Sequence, residues 1–286
     1  MNFSMVILNY NDSIRAYELA CKCSKFDSIQ KVVIIDNCST DNSYKYLKDK
    51  ENETIKVIRS PKNGGFAYGN TVAAKYLVES CNPEYILFAN TDTIFNEEDV
   101  IKALEQLNND EKLGLISLRV LSPNGEEENS CWRHKTFKEF LLNCFWIYRR
   151  KHFKDYLIKS NDETMSYVDV VRGSWMLFKA NALVEANYFD DNTFLYYEED
   201  IIAQRLQRAN YKVGVMNHVF YIHNHIQSNN NNYPRLQKIL YTSLSYYLEN
   251  YYELNSFKKF IARLVIKYAY FEDVTIYKIK KLFKNK

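Results

Sequence analysis

FSMVILNYNDSIRAYELACKCSKFDSIQKVVIIDN, residues 3–37, contains the pattern that decides the fold. An apolar run of strand length, FSMVILNY (3–10), is followed by a helix-like stretch at 13–24 and by a second apolar run, KVVIIDN (31–37). Strand, helix, strand at this spacing predicts a right-handed crossover between parallel strands. Because ligands of such sheets bind beyond the carboxyl ends of the strands, we expect a site just after these runs.

The same alternation continues along the chain. Further strand-length runs are TIKVIRS (54–60), EYILFAN (84–90) and KLGLISLRVL (112–121), and further helix-like stretches are 41–50, 67–80 and 96–109. This order is typical of an α/β fold with a mainly parallel sheet flanked by helices. Residues 122–172 are less regular, with one helix-like stretch at 136–152. Helical periodicity returns at 235–253 and 256–284 and predicts a helical C-terminal extension.

Composition allows an ordinary globular protein. The chain has 286 residues, of which 47% are hydrophobic and 26% charged, enough to bury a full core. It contains no apolar run of about 18 residues and no basic leader, so we expect neither a membrane span nor a signal peptide. The six cysteines form no CxxC pair, which favours reduced thiols in a cytoplasmic protein. We expect no nucleic-acid partner.

The end of the chain is strongly basic. Residues 256–286 carry nine Lys or Arg against two acids, a net charge of +7, whereas the rest of the chain, with 29 basic and 33 acidic residues, is −4. Apolar residues recur there at helical spacing from Phe257 to Tyr268. Two interpretations stay open: a helix packed on its own domain, or a surface helix on an anionic membrane.

Polar residues follow three of the predicted strands. Asn9 and Asn11 follow the first, Asp36 the second, and Asn90 and Asp92 the fourth. A single Asn or Asp at a strand end is usually a turn residue, but three such ends on one edge of a parallel sheet indicate a ligand site. In extended chain, residues two apart point to one face, so Asn90 and Asp92 together with a diphosphate could hold a divalent cation. The alternative is that they cap the next helix.

The segment NGGFAYGN (63–70) holds three of the seven glycines and directly precedes a helix. Glycine there permits positive φ and a close approach of backbone amides to a ligand. The spacing is neither GxGxxG nor GxxxxGK[ST], which argues against a dinucleotide dehydrogenase or a P-loop kinase.

Together these motifs resemble family-two glycosyltransferases of the GT-A fold, particularly rhamnosyltransferase-like enzymes of bacterial cell-surface polysaccharide assembly. The resemblance covers about residues 3–228 and is carried, in order, by VILNYN, VVIIDNCSTDNS, NGGFAYGN, FANTDT, GSWMLFK, FLYYEEDIIAQRLQ and a late histidine. It implies a GT-A catalytic domain at 1–228, divided into a nucleotide-binding half (about 1–121) and an acceptor-binding half (about 122–228). Residues 229–286 would then be a basic helical extension.

The resemblance also implies the reaction and its partners. A sugar would pass from a UDP- or dTDP-sugar to an acceptor hydroxyl, with inversion and with Mn2+ or Mg2+ as cofactor. The acceptor would be a glycan or a lipid-linked molecule, and the protein would be cytoplasmic and peripheral at the inner face of the cell membrane.

Donor and metal residues follow from the same resemblance. Asn9 and Asp36 would contact the base and ribose, and three further residues would shape the nucleotide pocket: Asn63, Gly65 and Asn70. Asn90-Thr91-Asp92 would be the DxD-type element, with Asn in its first position, so that Asp92 is the expected metal carboxylate. His223 matches the late histidine beside the diphosphate, with His225 left open as the alternative.

The acceptor side is predicted from the stretch EEDII (198–202) and from the aromatic residues. An acceptor hydroxyl needs a carboxylate to take its proton, and the family pattern E-[DE]-x-[DE]-L-x-x-R puts this base at Glu199. On a helix beginning at residue 198, Glu198 and Glu199 lean inward; on one beginning a residue later Asp200 could turn inward, so it stays the alternative base. Four further residues are expected at the sugar pocket: Gly173 and Ser174 in its floor, and Trp132 and Trp175 as aromatic platforms.

Two other functions stay open. A non-catalytic protein that binds nucleotide sugar or glycan within a complex is compatible with Asn90 in the first DxD position and with Glu rather than Asp at position 199. A sugar-nucleotide pyrophosphorylase would need a glycine-rich, basic signature after the first strand, where this chain has Asn9 to Asp12.

Overall fold

The computed structural model describes residues 1–224 and 233–284. Its strands are β1 (Phe3–Asn9), β2 (Ile29–Asp36), β3 (Ile55–Arg59), β4 (Tyr85–Ala89), β5 (Thr93–Ile94), β6 (Leu113–Leu121), β7 (Glu127–Glu128), β8 (Cys131–Trp132), β9 (Met165–Val168), β10 (Val170–Val171), β11 (Trp175–Lys179) and β12 (Lys212–His223). Its helices are α1 (Ser13–Cys23), α2 (Ser43–Lys48), α3 (Phe66–Cys81), α4 (Glu97–Asn109), α5 (Phe137–Asn143), α6 (Trp146–His152), α7 (Ala180–Glu185), α8 (Glu198–Arg208), α9 (Tyr233–Tyr251) and α10 (Ser256–Lys284).

A mixed, mainly parallel sheet forms the centre of the molecule. Its strand order is β3-β2-β1-β4-β11-β6-β12-β5, and β1, β2, β3 and β4 are parallel neighbours, as are β6 and β12. Helices cover both faces, and one buried apolar cluster lies on each side of the sheet. The predicted α/β class with a mainly parallel sheet is confirmed, and the five predicted strands lie within two residues of their predicted bounds.

The strand β11 was not predicted from the sequence, and it runs antiparallel between β4 and β6. Its first residue, Trp175, pairs with Ala89, the last residue of β4. Because the two strands run in opposite directions, the residues just before β11 lie at the same edge as the residues just after β4. The last residue of β12, His223, reaches this edge too, where it pairs with Thr93.

The middle segment differs from its predicted form. The helix expected at 136–152 is two helices, α5 and α6, with Cys144 and Phe145 between them. A short 3-10 helix, Phe153–Tyr156, follows α6. Within the described ranges, no helix combines the length and apolar composition needed to cross a bilayer.

The C-terminal helices pack on the rest of the protein. A third apolar cluster joins one face of α9 and α10 to α5 and α8, and its buried members include Phe140, Ile201, Tyr247 and Ile266. The first interpretation of the tail, a helix packed on its own domain, therefore holds for one face of α10. The domain boundary predicted between residues 228 and 229 lies outside the described residues.

One ion pair, in which the acid is buried and the arginine side chain is 30% exposed, ties α10 to α6 and α9. Arg149 Nη2 lies 2.5 Å from Asp273 Oδ1, and the Tyr241 hydroxyl donates to Asp273 Oδ2 at 2.7 Å. Asp273 is 3% exposed. Removal of Asp273 leaves the buried Tyr241 hydroxyl and the partly exposed Arg149 guanidinium without this partner.

We therefore expect Asp273→Ala to lower the free energy of unfolding by about 3 kcal/mol, measured by urea denaturation. The matched control is Arg263→Ala. It removes the exposed pair of Arg263 with Glu249, between α10 and α9, and should change stability little. Equal losses in the two variants would contradict the structural role of Asp273.

Candidate active site

A buried polar cluster lies at the carboxyl ends of β1 and β2. Asn9 Nδ2 donates to Asp36 Oδ1 at 2.9 Å and to Ser39 Oγ at 3.2 Å, while the Ser39 amide donates to Asp36 Oδ2 at 3.1 Å. Asn9 and Asp36 have 0% exposure. The direct donor contact predicted for them is wrong in this structure, because side chains without accessible surface touch no ligand. They order the loop after β2, while Asn11 stays exposed beside it.

The glycine-rich loop before α3 closes against the segment before α8. Gly65 has a φ of +90°, and a Cβ there would lie 1.9 Å from the carbonyl oxygen of Phe194. The Phe66 amide donates to that same oxygen at 3.1 Å. The absence of a side chain at Gly65 therefore leaves room for the backbone of Phe194, whereas the sequence predicted that it leaves room for a ligand. Asn63 Oδ1 accepts from the Gly65 amide at 3.3 Å, and Asn70 is 2% exposed.

The segment after β4 is a turn. The Thr93 amide donates to the Asn90 carbonyl at 3.2 Å, so the argument from extended chain for Asn90 and Asp92 is wrong. The capping alternative is also wrong, because Asn96 is the N-cap of α4. The Asn90 amide donates to the Ser174 carbonyl at 3.0 Å, which fixes this turn against the start of β11.

Asp92 and His223 meet at this edge. Asp92 Oδ1 lies 3.2 Å from His223 Nε2, and Arg172 Nη2 lies 3.0 Å from His223 Nδ1. A guanidinium has only donors, so Nδ1 accepts and the neutral ring carries its proton on Nε2, facing Asp92. Arg172 Nη1 also pairs with Glu128 at 2.5 Å. His225 lies outside the described residues.

Arg172 connects this pair to the acidic stretch at the start of α8. The next amide along the chain, that of Gly173, donates to Glu199 Oε1 at 3.3 Å. Asp92, His223 and the Arg172 side chain are therefore in contact with one another, and Glu199 is bonded to the backbone of the residue that follows Arg172. Arg172 was not among the predicted site residues, although it is the single charged residue of the stretch VVRGSWMLF and directly precedes the predicted floor.

The three adjacent acids have different surroundings. Burial raises the pKa of Glu199 to about 7, and it raises the pKa of Glu198, with the charge of Glu199 as a second cause, well above its ordinary value. Asp200 Oδ1 accepts from Trp132 Nε1 at 3.4 Å. Burial raises the pKa of Asp200 too, while the positive charge of Lys135 opposes this shift. A pKa of about 7 leaves a large share of Glu199 ionised at neutral pH.

A strained turn holds these acids in place. Tyr196 and Tyr197, immediately before Glu198, have φ values of 72° and 69°, which cost non-glycine residues about 1–3 kcal/mol each. Helix α9 braces the turn: the ring of Tyr247 stacks on that of Tyr197 with centroids 5.5 Å apart, and the Ser243 hydroxyl donates to the Leu195 carbonyl at 2.8 Å. Packing of the extension therefore offsets strain beside the carboxylates.

The four residues predicted at the sugar pocket differ in their surroundings. Gly173 lies against Glu199, and the Ser174 hydroxyl lies 2.5 Å from the Tyr221 hydroxyl. Trp175 is 0% exposed and packs between Phe95 and Tyr221. Its interpretation as a sugar platform is wrong, because an enclosed ring presents no face to a sugar. Trp132 is partly exposed and keeps that interpretation as a proposal.

The Asp92–His223 pair fits a divalent cation. Two neighbouring ligands of an octahedral ion with bonds of about 2.1 Å lie about 3 Å apart, close to the observed 3.2 Å. Ligation through Nε2 moves the ring proton to Nδ1, so Arg172 would have to release that nitrogen. Within residues 1–224 and 233–284, no group of three or more His, Cys, Asp or Glu residues could hold a metal. The remaining ligands would come from the diphosphate and water.

The chain is similar to known glycosyltransferases. The family model described as "Glycosyl transferase family 2" matches residues 4–170. The low-salt glycan biosynthesis hexosyltransferase Agl10 of Haloferax volcanii is 26% identical over 223 residues, which cover 78% of this chain and 67% of Agl10. The rhamnosyltransferase WbbL of Escherichia coli K12 is 26% identical over 149 residues, which cover 51% of this chain and only 55% of WbbL.

Solved structures show the fold. The mannosyltransferase PcManGT of Pyrobaculum calidifontis, in complex with GDP-Man and Mn2+, superposes with a TM-score of 0.56 at 14% identity, over 93% of this chain and 69% of that chain. The predicted GT-A fold is therefore confirmed. Since the family model covers more than half of the sequence and the sheet has the expected form, the chain belongs to glycosyl transferase family 2.

Proposed function

We propose that the protein transfers a sugar, with inversion, from a UDP- or dTDP-sugar to an acceptor hydroxyl during cell-surface polysaccharide assembly. One observation carries this proposal: Asp92, His223 and Arg172 are in contact at one edge of the sheet, and the next backbone amide, that of Gly173, donates to Glu199. A glycosyl transfer needs positive charge at the leaving diphosphate and a base at the incoming hydroxyl, within one substrate length of each other.

The diphosphate end of the site is the Asp92–His223 pair. Mn2+ or Mg2+ held there would supply positive charge that neutralises the departing nucleoside diphosphate. Once Arg172 leaves His223 Nδ1, its guanidinium can donate to phosphate oxygens, for which its planar fork is suited. The turn at 90–93 and the exposed Asn11 border the donor, and Asn63 and Asn70 shape the loops behind it.

The acceptor end of the site is at Glu199. Its pKa of about 7 is suited to a general base at neutral pH, since a large share is ionised and the group still takes up a proton readily. The Gly173 amide fixes one carboxylate oxygen. Asp200, the alternative base, accepts a hydrogen bond from the indole of Trp132. We propose that Asp200 orients this indole beside the acceptor sugar.

We propose the cellular setting from the names of the relatives and from the basic C-terminal helix. Agl10 is named for glycan biosynthesis and WbbL for rhamnosyl transfer. By analogy we propose a glycan or lipid-linked acceptor and a cytoplasmic protein that works at the inner face of the cell membrane.

Loss of either end of the site should abolish turnover. With a panel of nucleotide sugars and Mn2+, Glu199→Gln should lower nucleoside diphosphate release by about 10²- to 10⁴-fold, and Asp92→Ala by about 10²-fold or more. Glu98→Gln, which removes an exposed carboxylate from α4, is the control and should act as wild type. Unchanged release in both site variants would defeat the proposal; intact nucleotide binding without any turnover in wild type would favour the non-catalytic alternative.

The pH dependence should report Glu199. We expect kcat/KM to rise with pH through a midpoint of about 7, because only the ionised carboxylate accepts the proton. The same group should destabilise the fold as pH rises from about 4.5 to 7, since the folded protein retains a proton that the unfolded chain has lost. Glu199→Gln should therefore gain Tm relative to wild type between about pH 5 and pH 8. A rate midpoint near 4.5 would contradict this assignment.

Gly173→Ala should act through Glu199. A Cβ at position 173 would lie 2.7 Å from Glu199 Oε1, so the carboxylate must shift. A displacement of about 1 Å can cost about 10²-fold in rate, and we expect kcat to fall by at least about tenfold. The control is Gly214→Ala. Its Cβ would lie similarly close to a side chain, 2.8 Å from Met165 Sδ, and this variant should leave kcat unchanged. Equal kcat values in the two variants would contradict the positioning of Glu199 by Gly173.

A further inference from the structure

Helix α10 has two opposite apolar faces. Its inner face packs into the protein through Ala262, Ile266 and Ala269, all buried. On the other side, six large side chains are between 49% and 70% exposed: Phe257, Phe260, Leu264, Tyr268, Phe271 and Leu282. At 100° and 1.5 Å per residue they share an arc of about 80° and a length of about 38 Å. We call these six residues the outer stripe.

A second helix extends the outer stripe. The ring of Phe145, just before α6, lies against that of Tyr268 with centroids 5.7 Å apart. Ile147, in the first turn of α6, is 74% exposed. The apolar surface is therefore built by two elements far apart in sequence, and a contiguous exposed surface of this kind marks an interaction site.

The charge around the outer stripe is positive. Lys267 and Lys278 border one side of it at helical spacing, and α6 adds Arg150 and Lys151. Of the two acids of α10, Asp273 is buried and pairs with Arg149, while the partly buried Glu272 accepts from the Trp146 amide and from the Tyr268 hydroxyl.

We propose that the outer stripe, with Phe145 and Ile147, binds the surface of an anionic lipid bilayer. The apolar side chains would enter the boundary between headgroups and acyl chains, and the bordering lysines would contact anionic headgroups, as in other interfacial amphipathic helices. A second copy of the chain fits less well, because pairing two outer stripes would bring their lysine rows together.

The apolar cluster under α10 also touches the start of α8, which carries the candidate base Glu199. The cluster that receives the inner face of α10 also contains Ile201 of α8 and, partly buried, Tyr197. Binding to a bilayer would therefore hold the acceptor end of the site near the headgroups. The lipid proposal itself does not depend on the glycosyltransferase reaction.

The test is co-sedimentation of the full chain with vesicles of phosphatidylcholine, alone or mixed with phosphatidylglycerol, without nucleotide or acceptor. We expect binding to the mixed vesicles only. The combined variant Phe260→Ser, Leu264→Ser, Phe271→Ser should bind at least about tenfold more weakly. Ile14→Ser, at a side chain that is 64% exposed on α1, is the control and should bind as wild type.

A second variant tests the charge. Lys267→Glu with Lys278→Glu should weaken binding by at least about fivefold per residue, and salt should weaken wild-type binding. This variant also decides the matter if the serine variant fails to fold, as judged by circular dichroism. Equal binding of wild type and variants, or no binding to mixed vesicles, would overturn the proposal. So would a dimer in sedimentation velocity that the serine variant alone dissociates.

Discussion

The antiparallel pairing of β11 with β4 is the constraint on which the site depends. The register of Trp175 with Ala89 places residues 172–174 against the turn at 90–93, and the bond from the Asn90 amide to the Ser174 carbonyl fixes this contact. A slip of one residue would turn every side chain of β11 to the other face. Trp175, completely buried, would then lose its place in the core, so packing of that ring secures the register and with it the position of Arg172.

The ionisable side chains at this edge form two groups, and Arg172 lies in the chain segment between them. In the proposed reaction, Asp92 and His223 would form the diphosphate end and Glu199 the acceptor end. Burial disfavours the charge on all three acids, and at Asp200 Lys135 and the indole of Trp132 oppose this effect. Three neighbouring carboxylates are thus compatible with folding, because they do not all need to be ionised together.

The C-terminal helices α9 and α10 contact the protein on their inner side and face solvent on their outer side. Inward, Tyr247 stacks on Tyr197 and so stabilises the strained turn that carries the acids. Outward, α10 presents the outer stripe to solvent. Because one apolar cluster connects the two sides, a chain without these helices would lose the brace of the turn as well as the basic surface.

The sequence by itself determined the fold class, the strands β1 to β4 and β6, and the family, because hydrophobic periodicity and ordered motifs are local properties of the chain. It also placed Asp92, His223 and Glu199 in the motifs that the structure brings to one edge. Tertiary structure alone decided which side chains stay accessible: Asn9, Asp36 and Trp175 lie in recognisable motifs and yet are buried. The role of Gly65 against Phe194, the strain at Tyr196 and Tyr197 and the contacts of Arg172 likewise depend on segments distant in sequence, so no local pattern could encode them.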